Sequence, residues 1–559
     1  MTDQRTTGRA GTLGVPGLWV LAFLGFLLMI GAWSVAAPYD GTPDEREHVV
    51  RAAGVAAGQV APKPAAAKKG SGAFQTVPRG LVREQCWQFK PNRSAACAVP
   101  PGSDPTPVRA GTGAGRYHPV YYALVGWPLQ LWPGWSGVLL ARLIGAALSA
   151  ALLASALVVI LKRSRHRLML GGLLAATTPM TAHMASAVNP NGLEIAAGVA
   201  FFTAAIPLLL DRWSPANRGL LTLVGISGVL LAMLRQTGPL WIAVGFVALA
   251  IPLRQGNLWQ LLRTRAARWW AAAISLTVVT AVLWGVLMKT SDLGNYGSNR
   301  YTYGQAVFVE ANRWRDYLDQ MVGVTSWLDT RMPAPAYLLW QFAAAALVVM
   351  ALVFGTRVDR WRLLVLILGG VAIPSAVQIA AVKQTGFVSQ GRYMLPMLAG
   401  VLLFAAYVLE QRGIDADRSR TTVRLLVLLF VPIHLFCLVF TMVRWQHGLP
   451  ARLGFGSLDP FLGPWHPVLG SATPLVASVL GLAVIGWLAW TAPTRRLTDR
   501  PAAAGATADR PEVSTADRAE IPTADRAEIP TADRSETADR SGTAAADRPG
   551  GGHTEAPRA

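Results

Sequence analysis

The sequence predicts an all-α fold, a polytopic bundle of transmembrane helices, and three observations predict it. Hydrophobic residues make up 52% of the 559 and charged residues only 15%, against the roughly 25% charged fraction of soluble domains. The apolar residues gather into runs close to the ~20 residues that cross a hydrocarbon core. The basic residues behind the net charge of +20 sit between those runs, a pattern that belongs to membrane topology and not to nucleic-acid binding. An ordinary cytosolic enzyme and a disordered polycation are both excluded, and no nucleic-acid partner is expected.

About twelve spans are expected, at about 17–37, 137–160, 168–186, 192–210, 219–234, 238–253, 270–288, 336–355, 363–382, 394–410, 425–443 and 474–491. The first, GLWVLAFLGFLLMIGAWSVAA, is longer than a signal-peptide core and reads as a retained span. Basic residues mark alternate short connections: Lys162, Arg163, Arg165 and Arg167; Arg212 and Arg218; Arg254, Arg263, Arg265 and Arg268; Arg357, Arg360 and Arg362; Arg412, Arg418, Arg420 and Arg424. All fall on the side of Arg5 and Arg9, so the positive-inside rule puts both termini in the cytoplasm. Trp33, Trp213, Trp241, Trp269, Trp340 and Trp445 sit at span ends, as interfacial anchors do.

The resulting organisation is a cytoplasmic N-terminus (1–16), a transmembrane domain (17–493) and a cytoplasmic tail (494–559). Outer loops fall at about 38–136, 289–335 and 444–473. The stretch VAPKPAAAKKGSG in the first loop is expected to be mobile. The tail repeats TADRAEIP units with few large apolar residues, a composition expected to stay disordered. Three cysteines are too few for a disulfide scaffold. Cys86 and Cys97 share the first outer loop and either bridge in an oxidising compartment or remain two thiols, while Cys437 lies in an apolar run.

Ionisable residues within spans mark functional candidates. By depth, Arg142, His183, Glu194, Arg235 and Lys289 lie at outer span ends, Lys383 and Arg392 flank one outer turn, and His434 lies in the outer half of its span. The turns AVNPNGLE and LRQTGPLW join them at the same level. Each such residue either snorkels to water on its own or belongs to a shared site at the outer leaflet. The absence of a midplane carboxylate disfavours an ion-coupled carrier.

The segment PYDGTPDEREHVVRAAG follows the first span directly. Thr42, Pro43, Asp44 and Glu45 suit a helix start, and Thr42 with Glu45 has capping-box spacing. Alternatively the motif is functional: Asp44 and Glu45 lie four and three residues before His48, so either carboxylate can share its helical face. A carboxylate at a membrane surface can deprotonate an acceptor hydroxyl or hold a divalent ion.

With PDEREH (43–48), the segments YHPVYYALVGWP (117–128), ARLIGAAL (141–148), AVNPNGLE (187–194), TSWLDTRMPAPAY (325–337) and QGRYMLPML (390–398) carry a resemblance. Over about residues 15–445, the first-loop insert excepted, the chain resembles the bacterial membrane family called domain of unknown function 2142, which is similar to the GT-C superfamily of lipid-sugar-dependent glycosyltransferases. The resemblance implies a GT-C-like bundle with a helical first loop, in the bacterial plasma membrane. It implies a polyprenyl-phosphate sugar as donor and an envelope glycan, lipid or protein as acceptor. Asp44 is then the lead candidate for catalytic base or metal-contacting carboxylate, with Glu45 second and Mg or Mn as the ion in question. Arg392 would bind the donor phosphate, or else anchors at the interface; Tyr393 would lie beside it or is a belt aromatic. His48, Arg142, Asn191, Glu194 and Arg235 complete the substrate-binding candidates. Where the related pattern reads NPD, this chain has Asn191, with Glu194 one turn on.

The loop at 289–335 is rich in Tyr, Trp, Asn and Asp. Trp327 and Asp329 suit carbohydrate by stacking and hydrogen bonding, or the loop simply lies on the bilayer. Tyr117 and His118, before the second span, are further lining candidates. No Walker loop, dinucleotide fingerprint or zincin motif occurs. The leading expectation is an inverting transferase; the alternatives are a transporter or lipid flippase, and a non-catalytic scaffold of an envelope-assembly complex.

Overall fold

The computed structural model describes residues 14–62, 72–211, 214, 217–251, 257–290, 301–450 and 454–492. The expectations made for the N-terminus, the Pro/Ala/Lys/Gly stretch of the first loop, Arg212, Trp213, Arg254, residues 291–300 and the tail lie outside the described residues.

The apolar runs become helices because a backbone in hydrocarbon must satisfy its own hydrogen bonds. Helix α1 (Val15–Ala36) leads into α2 (Glu45–Ala56), and the first loop returns through α3 (Val120–Gly126) and α4 (Pro128–Leu131) to the long α5 (Trp135–Arg163). Then come α6 (Met169–Ala176), α7 (Pro179–Ala185), α8 (Pro190–Leu210), α9 (Arg218–Leu234), α10 (Gly238–Ala250), α11 (Asn257–Arg263) and α12 (Arg265–Leu287). The chain ends in α13 (Tyr303–Val322), α14 (Ala334–Phe354), α15 (Arg357–Thr385), α16 (Leu395–Arg412), α17 (Ala416–Gln446) and α18 (Ala472–Thr491).

Among the described residues nine helices are long and apolar enough to cross a membrane: α1, α5, α8, α12 and α14 to α18. The chain is a multi-pass, mostly helical membrane protein. Of the twelve expected spans, the fifth and sixth are the shorter α9 and α10, of 17 and 13 residues. The third is not a continuous helix. It breaks at Thr177 and restarts at Pro179, where Thr178 caps α7 by accepting from the Thr181 amide at 3.3 Å. Proline lacks the N–H that would carry the helix across that point.

Burial separates centre from rim. The most apolar window of α8 is 94% buried, packed among α5, α9 and α16, whereas that of α12 is 6% buried and leaves its side chains for lipid. The long loops gather at one end of the bundle. There the first loop holds a feature the sequence reading missed: β1 (Ala73–Pro78) pairs antiparallel with β2 (Pro107–Thr112), from Ala73↔Thr112 to Pro78↔Pro107. Between the strands Cys86 and Cys97 form a disulfide, with Cα atoms 6.0 Å apart.

Candidate functional site

Two guanidinium groups fix the acidic motif from opposite sides. Arg142, on α5, donates to both oxygens of Glu45 at 2.7 and 2.6 Å, and both side chains are buried. It also donates to the carbonyls of Ser34, Ala37 and Pro38 at 3.0, 2.9 and 2.7 Å. Those carbonyls belong to the C-terminal end of α1, which lacks intrahelical donors and is negative in the helix dipole. One side chain thus joins the end of α1 to the start of α2. Glu45 also accepts from the Val188 amide at 3.2 Å, so its oxygens face three donors and none of the open space. The expectation of Glu45 as second catalytic carboxylate gives way to a positioning role. The Thr42–Glu45 capping box does not form either: Asp44 is the N-cap residue, and the Thr42 hydroxyl is buried without a partner.

Asp44 behaves differently from its neighbour. Its backbone adopts φ 69°, the left-handed conformation that Asp tolerates better than most residues. That turn aims its carboxylate away from the bundle core, leaving the side chain 43% exposed while Oδ2 lies 2.8 Å from Nη2 of the buried Arg392. Arg392 sits on the short 3-10 helix Gly391–Tyr393, and its guanidinium also donates to the Pro43 carbonyl at 3.4 Å and the Tyr393 hydroxyl at 3.3 Å. Upstream, Asp40 steadies the same turn. Its carboxylate accepts from the Arg46 amide at 2.9 Å and from Gln88 at 2.6 Å, and burial raises its proton affinity well above the carboxylate norm.

Asp44, Glu47, His48, Tyr117, Arg235 and Tyr393 line one cavity of about 320 Å³, with Trp241, Ile373, Pro374 and Val377 as its apolar wall. The residues come from the first loop, the α9–α10 turn, α15 and the turn before α16. His48 makes a 2.8 Å hydrogen bond through Nδ1 to the Tyr122 hydroxyl, and burial pushes its proton affinity down to about 3, so the imidazole is neutral. Burial likewise raises Tyr117, keeping its phenol protonated. Arg235 lies with its guanidinium carbon 4.1 Å from the centre of the Tyr393 ring. Behind it, Glu194 stands 3.8 Å from Nε of Arg235 and accepts from Asn191 at 3.0 Å and Thr237 at 3.2 Å. Asn191 and Glu194 therefore hold Arg235 and do not line the cavity themselves.

Glu47 was missed. It shares a helical face with Asp44 three residues earlier, which is the signal that would have found it. Its carboxylate accepts from the Gly113 amide at 2.6 Å, and burial raises its proton affinity.

Three other candidates lie away from the cavity. Asp329 pairs with buried Arg444 at 2.7 Å, and Arg444 also donates to the carbonyls of Trp87, Lys90 and Arg93 at 2.8, 3.2 and 2.7 Å. Trp327 donates from its indole to the Asp40 carbonyl at 2.8 Å. The loop read either as facing sugar or as lying on the bilayer fastens the first loop through these two side chains. His118 packs edge-on against Trp284, ring centres 5.3 Å apart. Polar groups also reach the opposite end of the bundle, where buried Glu410 accepts from Ser164 at 2.6 Å and from the Arg165 and Leu168 amides at 3.1 Å.

Among the described residues no three His, Cys, Asp or Glu side chains are grouped to hold a metal ion. Asp44, Glu47 and His48 line the cavity, but one Asp44 oxygen is paired with Arg392, Glu47 accepts from the Gly113 amide and Nδ1 of His48 is bonded to Tyr122. This donor set does not fit a divalent cation held by the protein, and no step below runs through one.

No curated protein matches the sequence. Two crystal structures of ArnT from Cupriavidus metallidurans, one apo and one bound to undecaprenyl phosphate, are similar in fold at 13% identity and a TM-score of 0.38, over 84% of this chain and 77% of that one. A family model described as "Predicted membrane protein (DUF2142)" matches residues 26–401, well over half of the chain. The chain belongs to the DUF2142 family of membrane proteins.

Proposed function

We propose that the chain is a membrane glycosyltransferase that moves a sugar from a polyprenyl-phosphate donor to a hydroxyl of a cell-envelope acceptor on the extracytoplasmic face. The observation that carries the reading is the cavity lined by a half-exposed carboxylate, Asp44, and by the Arg235 guanidinium, with the buried Arg392 paired to Asp44 at 2.8 Å, all three brought from separate stretches of the chain. A carboxylate is what an acceptor hydroxyl needs, and guanidinium groups match phosphate oxygens. The apolar wall of Trp241, Ile373, Pro374 and Val377 suits the lipid end of such a donor.

The chemistry is a single displacement with inversion. The acceptor O–H proton passes to Asp44 as the oxygen attacks the anomeric carbon. The bond from that carbon to the phosphate oxygen breaks, and its electron pair leaves with the phosphate. Arg235, and Arg392 once the donor is seated, face the charge that gathers on the departing group. Tyr117 and the neutral His48 are fixed hydrogen-bonding groups at the wall and carry no charge of their own.

The test uses membranes containing the full chain, a panel of radiolabelled undecaprenyl-phosphate hexoses and pentoses, and label transferred to envelope material as the readout. Asp44→Asn, which keeps shape and removes the base, is expected to lower transfer by about 10²–10⁴-fold. Full transfer by that variant would end this assignment.

A further inference from the structure

A second cavity, of about 260 Å³, lies on the same long-loop end of the bundle and shares no residue with the first. Its walls come from four places: Tyr39 at the exit of α1, Pro100 and Pro101 in the segment after the disulfide, Trp135 at the start of α5, and Trp465 and His466 in the loop before α18. No carboxylate, ammonium or guanidinium lines it. The Gln85 amide does, and both its oxygen and its nitrogen are buried with no hydrogen-bond partner in the protein.

An amide left unpaired in this way is destabilising relative to one whose donors and acceptor are satisfied. Aromatic and proline faces around one amide, with one acceptor and two donors, and the His466 imidazole describe a recognition surface for an uncharged ring bearing hydroxyls. The volume lies at the lower edge of the ~300–1,000 Å³ typical of ligand pockets, which suits one ring better than a length of peptide.

We propose that this cavity is an accessory binding site for one neutral pyranose unit of a glycan, with Gln85 bonding its hydroxyls and Trp135 and Trp465 packing on its faces. The site stands apart from the transfer chemistry and is physically joined to it. The guanidinium carbon of Arg142 lies 5.1 Å from the centre of the Trp135 ring, and Arg142 is the group that holds Glu45 and the start of α2. Segment 38–44 runs from one cavity to the other, contributing Tyr39 to the neutral site and Asp44 to the charged one.

The experiment is saturation-transfer NMR on the full-length protein in lipid nanodiscs, free of sugar-headed detergent, with the methyl pyranosides of glucose, galactose and mannose as probes. Saturable binding of at least one probe is expected, weakened about tenfold or more by Gln85→Leu and by Trp465→Ala and retained in Asp44→Asn. Melting of the same samples guards against misfolding: Gln85→Leu removes two unsatisfied polar atoms and is expected to melt at or above the native protein. Absence of saturable binding by all three probes overturns the proposal, as does native-like binding in Gln85→Leu. Binding of a proline decapeptide in their place, lost in Trp465→Ala, would assign the cavity to an extended peptide and overturn it too.

Discussion

Replacing Arg142 by Met is the sharpest test of how the acidic motif is held. The native guanidinium makes five hydrogen bonds, two to Glu45 and one each to Ser34, Ala37 and Pro38. Removing it leaves the Glu45 carboxylate buried and uncompensated, which costs about 3–5 kcal/mol. Three carbonyls at the end of α1 lose their donor at about 1 kcal/mol each. The contributions share one side chain and overlap, so a total of about 4–6 kcal/mol is expected. Adding Glu45→Leu to Arg142→Met takes away the stranded charge, and replacing both partners of a buried pair is far cheaper than removing one. Thermal unfolding in nanodiscs, followed by intrinsic fluorescence, should therefore rank native first, the double variant second and Arg142→Met last. A single variant that melts with the native protein, or a double variant below the single, would refute the reasoning. Asp44→Asn leaves the buried Arg392 without its carboxylate, but Asp44 itself is 43% exposed, so the variant is expected to melt above Arg142→Met and below the native protein while losing transfer.

Four further outcomes follow from the same geometry. His48 is held neutral by burial, at about 3 in place of 6.5, so between those values the unfolded chain binds a proton that the native chain does not. Stability therefore falls as pH drops below 6.5, by up to about 1.4 kcal/mol per pH unit, and His48→Gln should flatten denaturation midpoints measured from pH 7 to 5; an equally steep limb in the variant would contradict this. Breaking the disulfide with Cys86→Ser and Cys97→Ser, which opens a loop of 11 residues in separation, should cost about 2–3 kcal/mol, seen as a lower melting point that reducing agent reproduces in the native protein. Asp329→Asn leaves Arg444 with carbonyl partners only and should speed proteolysis of the segment at 87–93 without changing donor affinity. Arg235→Met removes a cation from the cavity and should weaken retention of undecaprenyl phosphate about tenfold or more, whereas unchanged retention would take Arg235 out of the phosphate site.

Much of this was legible in the sequence, and the rest was hidden for physical reasons. Hydropathy located the spans, because the need to satisfy the backbone in lipid leaves helices as the usual solution. Depth bookkeeping put Arg235 and Arg392 at the outer level, and the motif after the first span added Asp44 and His48; in the structure Asp44, His48, Tyr117, Arg235 and Tyr393 surround one cavity and Arg392 pairs with Asp44. Asp44 and Glu45 could not be ranked from spacing alone. Adjacent residues at a helix start point about 100° apart, and which one turns inward depends on Arg142, 97 residues away. The break at Thr177 was readable from Thr178 and Pro179, but uninterrupted apolar character on both sides masked it. The two strands were invisible because the residues between them, 79–106, erase any hairpin signal. Arg444 drew no reading from the sequence, its partner Asp329 sat in a loop read either as sugar-facing or as lying on the bilayer, and only the folded chain shows that the two neutralise each other.

The spacing of these pairs along the chain orders the protein's making in time. Glu45 meets Arg142 after 97 residues, Asp44 must wait 348 for Arg392, and the Trp87 carbonyl waits 357 for Arg444. A ribosome that stalls within α15 thus leaves a nascent chain whose first helices are already braced while its acidic turn is still without its counter-ion and the Trp87 segment of its large loop is without Arg444. Half-made copies would display that loop to surveillance proteases, and the cavity would close around its charges only as the last third of the polypeptide enters the bilayer.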